Sequence, residues 1–571
     1  MKKNLSGIAA DFLQSFEQHY ITWSFIITAA FTVGYAMLIY ISRGEFFYTD
    51  TDCYTRALRI IDWLQDFQWQ EKIFPYTNPP DGFVLHFTRI NDIIWLIFTL
   101  PFLPFFPLKE AVFYGGFLFS PFFMFLTLIT VLWGIKPYMA NIKNKELLFF
   151  IIFIFLILFC CKLTITFDFQ RPDHHCVMCF IFSFLISAVL RSHQKENNKE
   201  LFFAGIFTGC GLWASSAPEG LYVAFIALLI LAVESVFRKQ STVCPLIYSL
   251  GLFYASTAAW LINPPYEGYF ALNNARLSII HVLLTALVLL SFAVLHFGDF
   301  RSKTKQIFVL GISAILSLLF MLLVFGSNNL FVSIYEEHVL EYFVPYVSEM
   351  KTMFDMSTFL LPTIIIGLII LLLLPYKQPY VLCFLLLYLL TAPLSMFVIR
   401  FYQYYLIMWL FLYSFGLFLL FEHKDTSDKY KISAFMYVIW PVFYLASFDF
   451  QLYNNNIPDI QGIVLADTFR GPEIIWKKNA DTIGSPYHTN IEGIKDNHTL
   501  WFSSAEKELK SLLKKRKVNY VTLYNVTESP YYVFPADNTD KLYGKVLTGK
   551  NLYPWMEKTD EKTYRINYEK F

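Results

Sequence analysis

The fold is decided by residues 147–190, which read "LLFFIIFIFLILFCCKLTITFDFQRPDHHCVMCFIFSFLISAVL". Two apolar runs flank a short polar gap, and apolar runs of about 20 residues are long enough to cross the hydrocarbon core of a bilayer. The gap holds five ionisable residues, Asp168, Arg171, Asp173, His174 and His175. Ionisable groups at membrane depth cost roughly 2.5–3.5 kcal/mol each on insertion scales, so this concentration indicates a functional site. The structural alternative is a solvated loop whose charges have no function.

The composition of the whole chain is that of a polytopic membrane protein. Of its 571 residues, 56% are hydrophobic and only 16% are charged. Charged residues make up about a quarter of an average soluble protein. The formal net charge of +1 does not indicate a nucleic-acid partner, because proteins that bind nucleic acid usually carry a basic surface.

Apolar runs of this kind recur along the chain and predict about thirteen membrane spans. We place them at Ile21–Ile41, Val112–Ile135, Leu147–Phe167, His175–Leu190, Leu201–Ser215, Leu221–Val236, Pro245–Ile262, Leu277–Phe297, Ile307–Phe325, Phe359–Pro375, Tyr380–Ile399, Tyr404–Phe421 and Ile432–Phe448. One further run, Ile93–Leu108, is short and rich in proline, so its pattern alone leaves open whether it crosses.

Loop charge sets the orientation of these spans. If Ile93–Leu108 does not cross, the basic loops all fall on the side of the N-terminal "MKK". The positive-inside rule makes that side cytoplasmic. We therefore predict that Ile93–Leu108 is a non-spanning helix of the first external loop (42–110). The central loop (326–358) and the tail (449–571) then also lie on the external face.

Two carboxylates, Asp50 and Asp52, directly follow the first predicted span. Carboxylates here complement the N-terminus of the amphipathic helix that follows, which is the structural explanation. Asp50 and Asp52 are predicted to lie on the same side of the membrane as Asp173 and His175. Together these side chains form a predicted donor set for a divalent cation. Mg²⁺ and Mn²⁺ prefer carboxylate oxygens, and Mn²⁺ accepts histidine. Such an ion can neutralise a phosphate leaving group.

Three more charged residues belong to the external face. Glu349 lies in the long central loop, and long ordered loops are often functional. Arg400 closes an apolar run, where it either snorkels to the membrane surface or pairs with a lipid phosphate. Glu219 lies between two predicted spans and is open to a structural or a catalytic role.

The order of these motifs resembles the catalytic subunit of oligosaccharyltransferases, members of the GT-C glycosyltransferase superfamily. The family's first acidic motif, similar to D-P-Y-Y-H-L-R, resembles "DTDCYTR" and corresponds to Asp50 and Arg56. Its second motif, D-x-D, D-x-E or D-x-H before the fourth span, resembles "DHH" and corresponds to Asp173 and His175.

Three later motifs extend the resemblance over roughly residues 20–450. A V-H-W-T-like stretch resembles "LHFTR", from His86 to Arg89. An S-V-S-E or T-I-x-E glutamate resembles "YVSE" and corresponds to Glu349. An R-F pair that binds the lipid phosphate in the family resembles Arg400 and Phe401.

The resemblance implies a polytopic α-helical membrane protein of GT-C fold, with a transmembrane catalytic domain (1–448) and a small extracytoplasmic α/β domain (449–571). It implies a metal-dependent glycosyltransferase that uses Mg²⁺ or Mn²⁺ and a sugar linked to a polyprenyl phosphate or pyrophosphate. The implied catalytic residues are Asp50, Asp52, Asp173 and Glu349. The implied metal ligands are Asp50, Asp173, His175 and Glu349. The implied phosphate-binding residues are Arg400 and Arg56.

The tail differs from the family. The WWDYG motif, which reads the acceptor Ser or Thr in oligosaccharyltransferases, has no counterpart in this sequence. The acceptor is therefore open between protein, glycan and lipid. The candidate acceptor-side residues are His86, Arg89, Glu219, Tyr487 and His488. The tail pattern predicts strands in "GIVLAD" and "KVNYVTLYN", and a helix with a capping box from Ser503 to Glu506.

Two other classes of function fit parts of the sequence. A transporter or flippase for a lipid-linked substrate would show repeats and charges near the bilayer midplane, whereas these charges lie at the outer boundary. A membrane scaffold with a sensing tail would not need Asp50, Asp173 and Glu349 to converge. For the enzyme, we expect a multi-pass protein of the bacterial inner membrane, with a cytoplasmic N-terminus, a periplasmic tail and contacts with membrane lipids.

Overall fold

The computed structural model describes residues 5–571, with the exception of positions 71–72, 141, 143–144, 163, 195–197, 238–241, 274, 299, 301, 332–359, 423–456, 488, 504 and 525–539. The described residues fall into two units by chain contacts. The membrane unit takes the described parts of Met1–Phe46, Phe87–Gly326 and Thr352–Asp449. The tail unit takes the described parts of Phe47–His86, Ser327–Lys351 and Phe450–Phe571.

Helices dominate the first three quarters of the chain. They are α1 (Leu5–Gln18), α2 (Tyr20–Arg43), α3 (Thr51–Asp66), α4 (Arg89–Thr99), α5 (Leu108–Ile135), α6 (Lys145–Lys162), α7 (Thr164–Phe167), α8 (His174–Ser192), α9 (Lys199–Ala214), α10 (Leu221–Phe237), α11 (Val243–Ile262), α12 (Ile279–Phe297), α13 (Lys303–Phe331), α14 (Leu360–Leu373), α15 (Pro379–Phe397) and α16 (Tyr402–Glu422). Within the described part of the chain, 9 helices are long and apolar enough to cross a membrane. The chain is therefore an integral, multi-pass membrane protein.

The predicted spans can be compared with these helices one by one. Each of the predicted spans before residue 423 overlaps a helix, except that Leu147–Phe167 covers two, α6 and α7. The last predicted span, Ile432–Phe448, lies outside the described residues. The ambiguous run overlaps the second half of α4, which has 11 residues, begins at Arg89 and ends at Thr99. At 1.5 Å per residue, α4 is about 16 Å long, too short to cross the hydrocarbon core by itself.

Close packing between α9 and α11 depends on glycine. A Cβ atom at Gly205 would collide with the backbone carbonyl of Tyr248, and a Cβ atom at Gly251 would collide with that of Phe202. Small residues allow helix backbones to approach closely where the lipid supplies no hydrophobic drive for association. The two glycines therefore allow this pair of helices to pack with their backbones in contact.

Helices α8 and α10 are joined at their C-terminal ends by a buried pair of side chains. His193, the C-cap of α8, places Nε2 3.0 Å from both carboxylate oxygens of Glu234 on α10. Neither side chain is exposed to solvent. A carboxylate buried among apolar helices requires a hydrogen-bonding partner, and His193 is that partner here.

The tail unit contains a mixed sheet of five strands. Its strands are β1 (Ile463–Leu465), β2 (Asp481–Thr482), β3 (Val518–Thr522), β4 (Met556–Asp560) and β5 (Thr563–Ile566), in the order β2-β1-β3-β5-β4. β1 runs parallel to β2 and β3, whereas β5 runs antiparallel to β3 and β4. Its helices are α17 (Gly471–Lys478), α18 (Ile491–Phe502), α19 (Glu506–Arg516) and α20 (Leu542–Thr548). The predicted strands "GIVLAD" and "KVNYVTLYN" contain β1 and β3.

Part of the first loop joins this sheet within the tail unit. Thr77 forms a parallel bridge with Thr482 of β2, and the backbone N–H of Asn78 donates to the Thr482 carbonyl at 2.8 Å. Arg516 of α19 donates to the carbonyl of Pro79 at 3.1 Å and to Asp496 at 2.6 Å. These bonds make a segment far away in sequence an integral part of the tail fold.

The predicted capping box from Ser503 to Glu506 is wrong. The N-cap of α19 is Ala505, which makes no side-chain cap. The hydroxyl of Ser503 instead donates to Glu508 at 2.6 Å, and Glu506 accepts a hydrogen bond from the indole of Trp555 at 3.2 Å. The helix begins two residues too late for this box, and both of the side chains that would form it have other partners.

Candidate active site

The polar gap between the two apolar runs folds into a buried set of side chains at the N-terminus of α8. We call Asp173, His174, His175, Glu219 and Arg400 the histidine cluster. Asp173 is the N-cap of α8, with an extended backbone, and its carboxylate accepts from the backbone N–H of His174 at 2.6 Å. Aspartate is among the preferred N-cap residues, so the local sequence explains where the helix begins.

The carboxylate of Asp173 is surrounded by cationic or polar nitrogen atoms. His174 Nδ1 lies 2.5 Å from Oδ1, while His175 Nε2 and an Arg171 amino group each lie 3.5 Å from Oδ2. Only 2% of Asp173 is exposed. Burial acts to raise the pKa of Asp173, but His174, His175 and Arg171 together hold this pKa well below its usual range.

Glu219 enters the cluster from a single π-helical turn, Ser216–Gly220, between α9 and α10. A Cβ atom at Gly220 would collide with the carbonyl of Ser215, so this turn requires glycine at its end. Glu219 is 0% exposed. Its Oε1 accepts from Nε of Arg400 at 2.6 Å, and its Oε2 accepts from the hydroxyl of Tyr404 at 2.8 Å.

The start of α16 supplies the remaining contacts. Gln403 Nε2 lies 3.2 Å from Nδ1 of His175 and 3.4 Å from Oε2 of Glu219. His175 Nδ1 in turn lies 3.1 Å from Oε1 of Glu219. An amino group of Arg400 lies 3.5 Å from Nε2 of His174. One network therefore connects α8, the π turn and α16.

Gln403 and Tyr404 were missed by sequence reasoning, although a signal for both was present. They follow Arg400 by three and four residues, the spacing that places side chains on one helical face. Gln403 is a polar residue three positions after an arginine within an apolar run, and this pattern would have identified it.

The charges of this region balance. The two carboxylates, Asp173 and Glu219, contact the guanidinium groups of Arg171 and Arg400. Buried charges remain charged only where partners of this kind compensate their desolvation. Asp173, His174 and His175 also offer three ligand atoms that lie within 4.8 Å of one another, so the donor set fits a divalent cation. Two imidazoles and one carboxylate suit Mn²⁺ better than Mg²⁺, which prefers oxygen.

The first-loop carboxylates belong to the tail unit. Asp50 is the N-cap of α3, and its side chain accepts from the backbone N–H of Asp52 at 3.0 Å. Tyr487 lies close enough to Asp52 for the charge of that carboxylate to act on its pKa. Burial is the first cause and the charge of Asp52 the second, and both raise the pKa of Tyr487 well above its usual range. The tail unit therefore brings together Asp50, Asp52 and Tyr487, which are distant in sequence.

Two more predicted residues lie in the tail unit. The ring of His86 lies 6.1 Å from the ring of Tyr487, which itself stacks on Phe83 at 5.5 Å. Arg56 is buried in α3, six residues after Asp50. His86 thus joins the surroundings of Tyr487.

The other predicted residues are placed differently. Arg89 is buried in the membrane unit and forms an ion pair with Asp92 at 3.2 Å, while its backbone N–H donates to the side chain of Asn263. Glu349 and His488 lie outside the described residues. The structure therefore gathers Asp173, His175, Glu219 and Arg400 in one unit, and Asp50, Asp52, His86 and Tyr487 in the other.

No protein-family model matches this chain, and no curated protein matches it. Solved structures of the oligosaccharyltransferase AglB from the archaeon Archaeoglobus fulgidus do. The complex with an inhibitory peptide and a dolichol-phosphate has a TM-score of 0.64 at 14% identity and covers 89% of this chain and 69% of that chain. The apo form has a TM-score of 0.65 at 15% identity, covering 89% and 70%. The complex with Zn and sulfate has a TM-score of 0.59 at 13% identity, covering 87% and 67%. The predicted resemblance to oligosaccharyltransferases is thus confirmed for the fold.

Proposed function

We propose that this chain is a membrane glycosyltransferase. It moves a sugar or oligosaccharide from a polyprenyl phosphate or pyrophosphate donor to an acceptor on the external face. The observation that carries the proposal is the histidine cluster, a buried and charge-balanced set that ends in the partly exposed guanidinium of Arg400, within a fold shared with an oligosaccharyltransferase. That related protein was solved with a dolichol-phosphate and, separately, with a tethered acceptor peptide.

Arg400 is the proposed donor-phosphate residue. Its side chain is 17% exposed, whereas that of Glu219 is fully buried. Glu219 accepts the Nε hydrogen and so fixes the guanidinium, whose terminal amino groups are proposed to bind phosphate oxygens in the fork geometry typical of arginine. Glu219 is itself fixed by Tyr404, so the guanidinium is oriented before a donor arrives. Arg56 stays a proposed second phosphate contact.

Asp173 and His175 are the proposed metal ligands in the membrane unit, with His174 as an additional candidate. A bound Mn²⁺ or Mg²⁺ would supply electrostatic stabilisation of the departing phosphate. Gln403 and Glu219 both contact Nδ1 of His175 and so fix the orientation of its imidazole ring. Asp50 and Glu349 remain proposed ligands on the grounds of the sequence motifs.

The proposed acceptor side is built on the tail unit. A carboxylate of Asp50 or Asp52 orients the acceptor and takes its proton, the role of a general base. Tyr487, His86 and His488 are proposed to line this side. For Arg89 and Glu219, the proposal of an acceptor-side role rests on the sequence alone. The structure of the similar protein with a tethered acceptor peptide supports a peptide acceptor. The missing WWDYG motif supports instead a glycan or a lipid acceptor. We also propose a bacterial inner-membrane location, with the N-terminus cytoplasmic and the tail periplasmic.

The test is transfer of a polyprenyl-linked sugar in membranes that carry wild type, Asp173→Asn or Arg400→Lys. Each membrane is assayed with metal removed by a chelator and then with Mn²⁺ or Mg²⁺ restored. We expect the donor to accumulate in both variants and in chelator. The matched control is Asp168→Asn, since Asp168 lies in the same gap but holds a local turn through the backbone N–H of Gln170 at 2.9 Å. Full transfer by both variants would exclude this site and favour transport of the lipid-linked substrate.

A further inference from the structure

The loop between α11 and α12 presents a group of large apolar side chains to the surroundings. Phe270 is 82% exposed and Leu272 is 61% exposed, and Tyr269 between α11 and Phe270 is exposed as well. Exposed apolar residues that stand singly are normal, whereas a contiguous group indicates a binding surface. We call Tyr269, Phe270 and Leu272 the apolar tip.

The apolar tip is held in place by specific bonds. The indole N–H of Trp260 donates to the carbonyl of Tyr269 at 3.0 Å, and the hydroxyl of Tyr269 donates to the carbonyl of Leu261 at 3.2 Å. The two rings meet edge to face, with centroids 5.5 Å apart. Gly268, at φ +110, makes the turn that precedes Tyr269. The exposure of the tip is therefore built by the fold.

The described residues at the other end of the loop are also held by specific contacts. Asn273 accepts through its side chain from the backbone N–H groups of Ala275 at 3.0 Å and Arg276 at 3.1 Å. Ser278 donates to the carbonyl of Asn273 at 2.6 Å. The guanidinium of Arg276 lies 3.9 Å from the ring centroid of Tyr266. Leu272 is thus fixed from its C-terminal side.

The tip continues an exposed apolar face of α11. Leu250, Tyr254 and Leu261 are all exposed, and their spacing of four and seven residues places them on one helical face. α11 is one of the helices that are long and apolar enough to cross a membrane. Its exposed apolar face is consequently the one that meets lipid, and Tyr269 is bonded to Leu261 at the end of that face.

We propose that the apolar tip inserts into the membrane interface at the end of α11, with Phe270 and Leu272 among lipid acyl chains. The side-chain donors of Trp260 and Tyr269 already have partners within the protein, so transfer into lipid leaves neither the indole N–H nor the phenol O–H unsatisfied. Tyrosine and tryptophan are the residues that concentrate at membrane–water boundaries. The neighbouring side chain of Glu267 is exposed, and we expect its carboxylate to face water.

The test uses the full chain, reconstituted in vesicles of phosphatidylethanolamine and phosphatidylglycerol, with p-benzoylphenylalanine in place of Phe270. Illumination attaches this residue to whatever surrounds it, and mass spectrometry identifies the adduct. We expect phospholipid adducts at Phe270 at a level similar to that at Leu250 on the helix face. The matched control is Glu267 in the same loop, where we expect at least a fivefold lower yield of phospholipid adducts.

Each other outcome overturns the proposal. Adducts with a second protein chain at Phe270 would identify the tip as a protein interface. Adducts only with a polyprenyl phosphate added to the vesicles would identify it as part of a substrate site. Equal yields at Phe270 and Glu267 would place the whole loop in one environment. Because Phe270 is 82% exposed, we expect the substitution to leave folding intact, and thermal unfolding of the labelled protein checks this.

Discussion

Two aspartates predicted to be catalytic perform the same local task in different units of the molecule. Asp173 is the N-cap of α8 in the membrane unit, and Asp50 is the N-cap of α3 in the tail unit. Asp173 is buried and surrounded by two imidazoles and a guanidinium, whereas Asp50 is only partly buried. Capping therefore explains the presence of both residues. Only the charged and polar groups around an aspartate distinguish one with a further, catalytic or metal-binding role.

A third carboxylate sharpens this contrast. Asp467, which follows β1 in the tail unit, is buried, and its side chain accepts from the backbone N–H of Phe469 at 2.8 Å. Burial raises the pKa of Asp467 to about 6, in spite of that hydrogen bond and of Arg470. Asp173 is equally buried, yet its pKa is lowered by its cationic neighbours. Two buried aspartates in one chain are thus driven in opposite directions by their partners.

The largest effect is expected when the compensation within the histidine cluster is broken. In Glu219→Gln, Arg400 loses its carboxylate, and breaking a buried ion pair costs about 3–5 kcal/mol. We expect the lower end of that range, because Arg400 is partly exposed. Thermal unfolding of the purified protein in detergent measures the loss. The double variant Glu219→Gln/Arg400→Gln should recover most of the stability but not transfer, and a single variant as stable as wild type would contradict the compensation.

Asp173→Asn separates capping from charge in the membrane unit. Asparagine caps helices about as well as aspartate, so α8 should keep its start, whereas Arg171 loses its carboxylate partner and the protein loses part of its stability. Transfer should fall by about 100-fold, the scale expected when a group that supports a metal or a developing charge is lost. Initial rates at saturating donor, compared with the unfolding temperature, measure both quantities. If this variant transfers sugar at the wild-type rate, Asp173 serves only as the N-cap of α8.

Asp50→Asn applies the same substitution in the tail unit. If Asp50 is a ligand or a base, transfer should fall by about tenfold or more although the cap is kept. If Asp50 only caps α3, Asp50→Asn should be silent and Asp50→Ala should cost about 1 kcal/mol of stability. Transfer rates of both variants beside wild type decide between these cases, and only a silent Asp50→Asn removes Asp50 from the proposed site.

The smallest effect is a pH dependence at Asp467. Its folded-state pKa of about 6 is higher than the usual 3.8, so its contribution favours folding at low pH and is lost as the pH rises through 6. Asp467→Asn removes this dependence. From pH 5 to pH 7 the stability of the variant relative to wild type should therefore rise by about 1 kcal/mol. Hydrogen exchange of β1 amides, corrected for intrinsic rates, measures this locally, and a difference that does not change with pH would contradict it.

Much of the architecture follows from the sequence because the membrane restricts the choices. Apolar runs predict helices with few alternatives, and the helix expected at Ile93–Leu108 is observed as the short α4, which begins at Arg89 and ends at Thr99. The capping box failed because Ser503 bonds to Glu508 instead, and because Glu506 has a distant partner, Trp555, that no local pattern reveals. Local rules hold where the solvent dictates structure and fail where distant side chains compete.

The site was predictable in its ionisable residues but not in its connections. Asp173, His175, Glu219 and Arg400 stood out because charges in apolar surroundings are costly. Their partners Gln403 and Tyr404 are ordinary polar residues, and they are linked to Glu219 only by the packing of α16. Likewise, the placement of Asp52 beside Tyr487 depends on a first-loop segment that joins the tail sheet, and no spacing in the sequence encodes that long-range pairing.

The ion pair between Glu219 and Arg400 has a consequence for how the protein is made. Its two residues are 181 positions apart in the chain. At a synthesis rate of about 5–20 residues per second, Glu219 leaves the ribosome roughly 10–40 s before the arginine that neutralises it. During biogenesis the carboxylate must therefore wait in an incomplete helical bundle, and the histidine cluster closes only when α16 is inserted. Assembly of this centre is thus one of the late events in the maturation of the membrane unit.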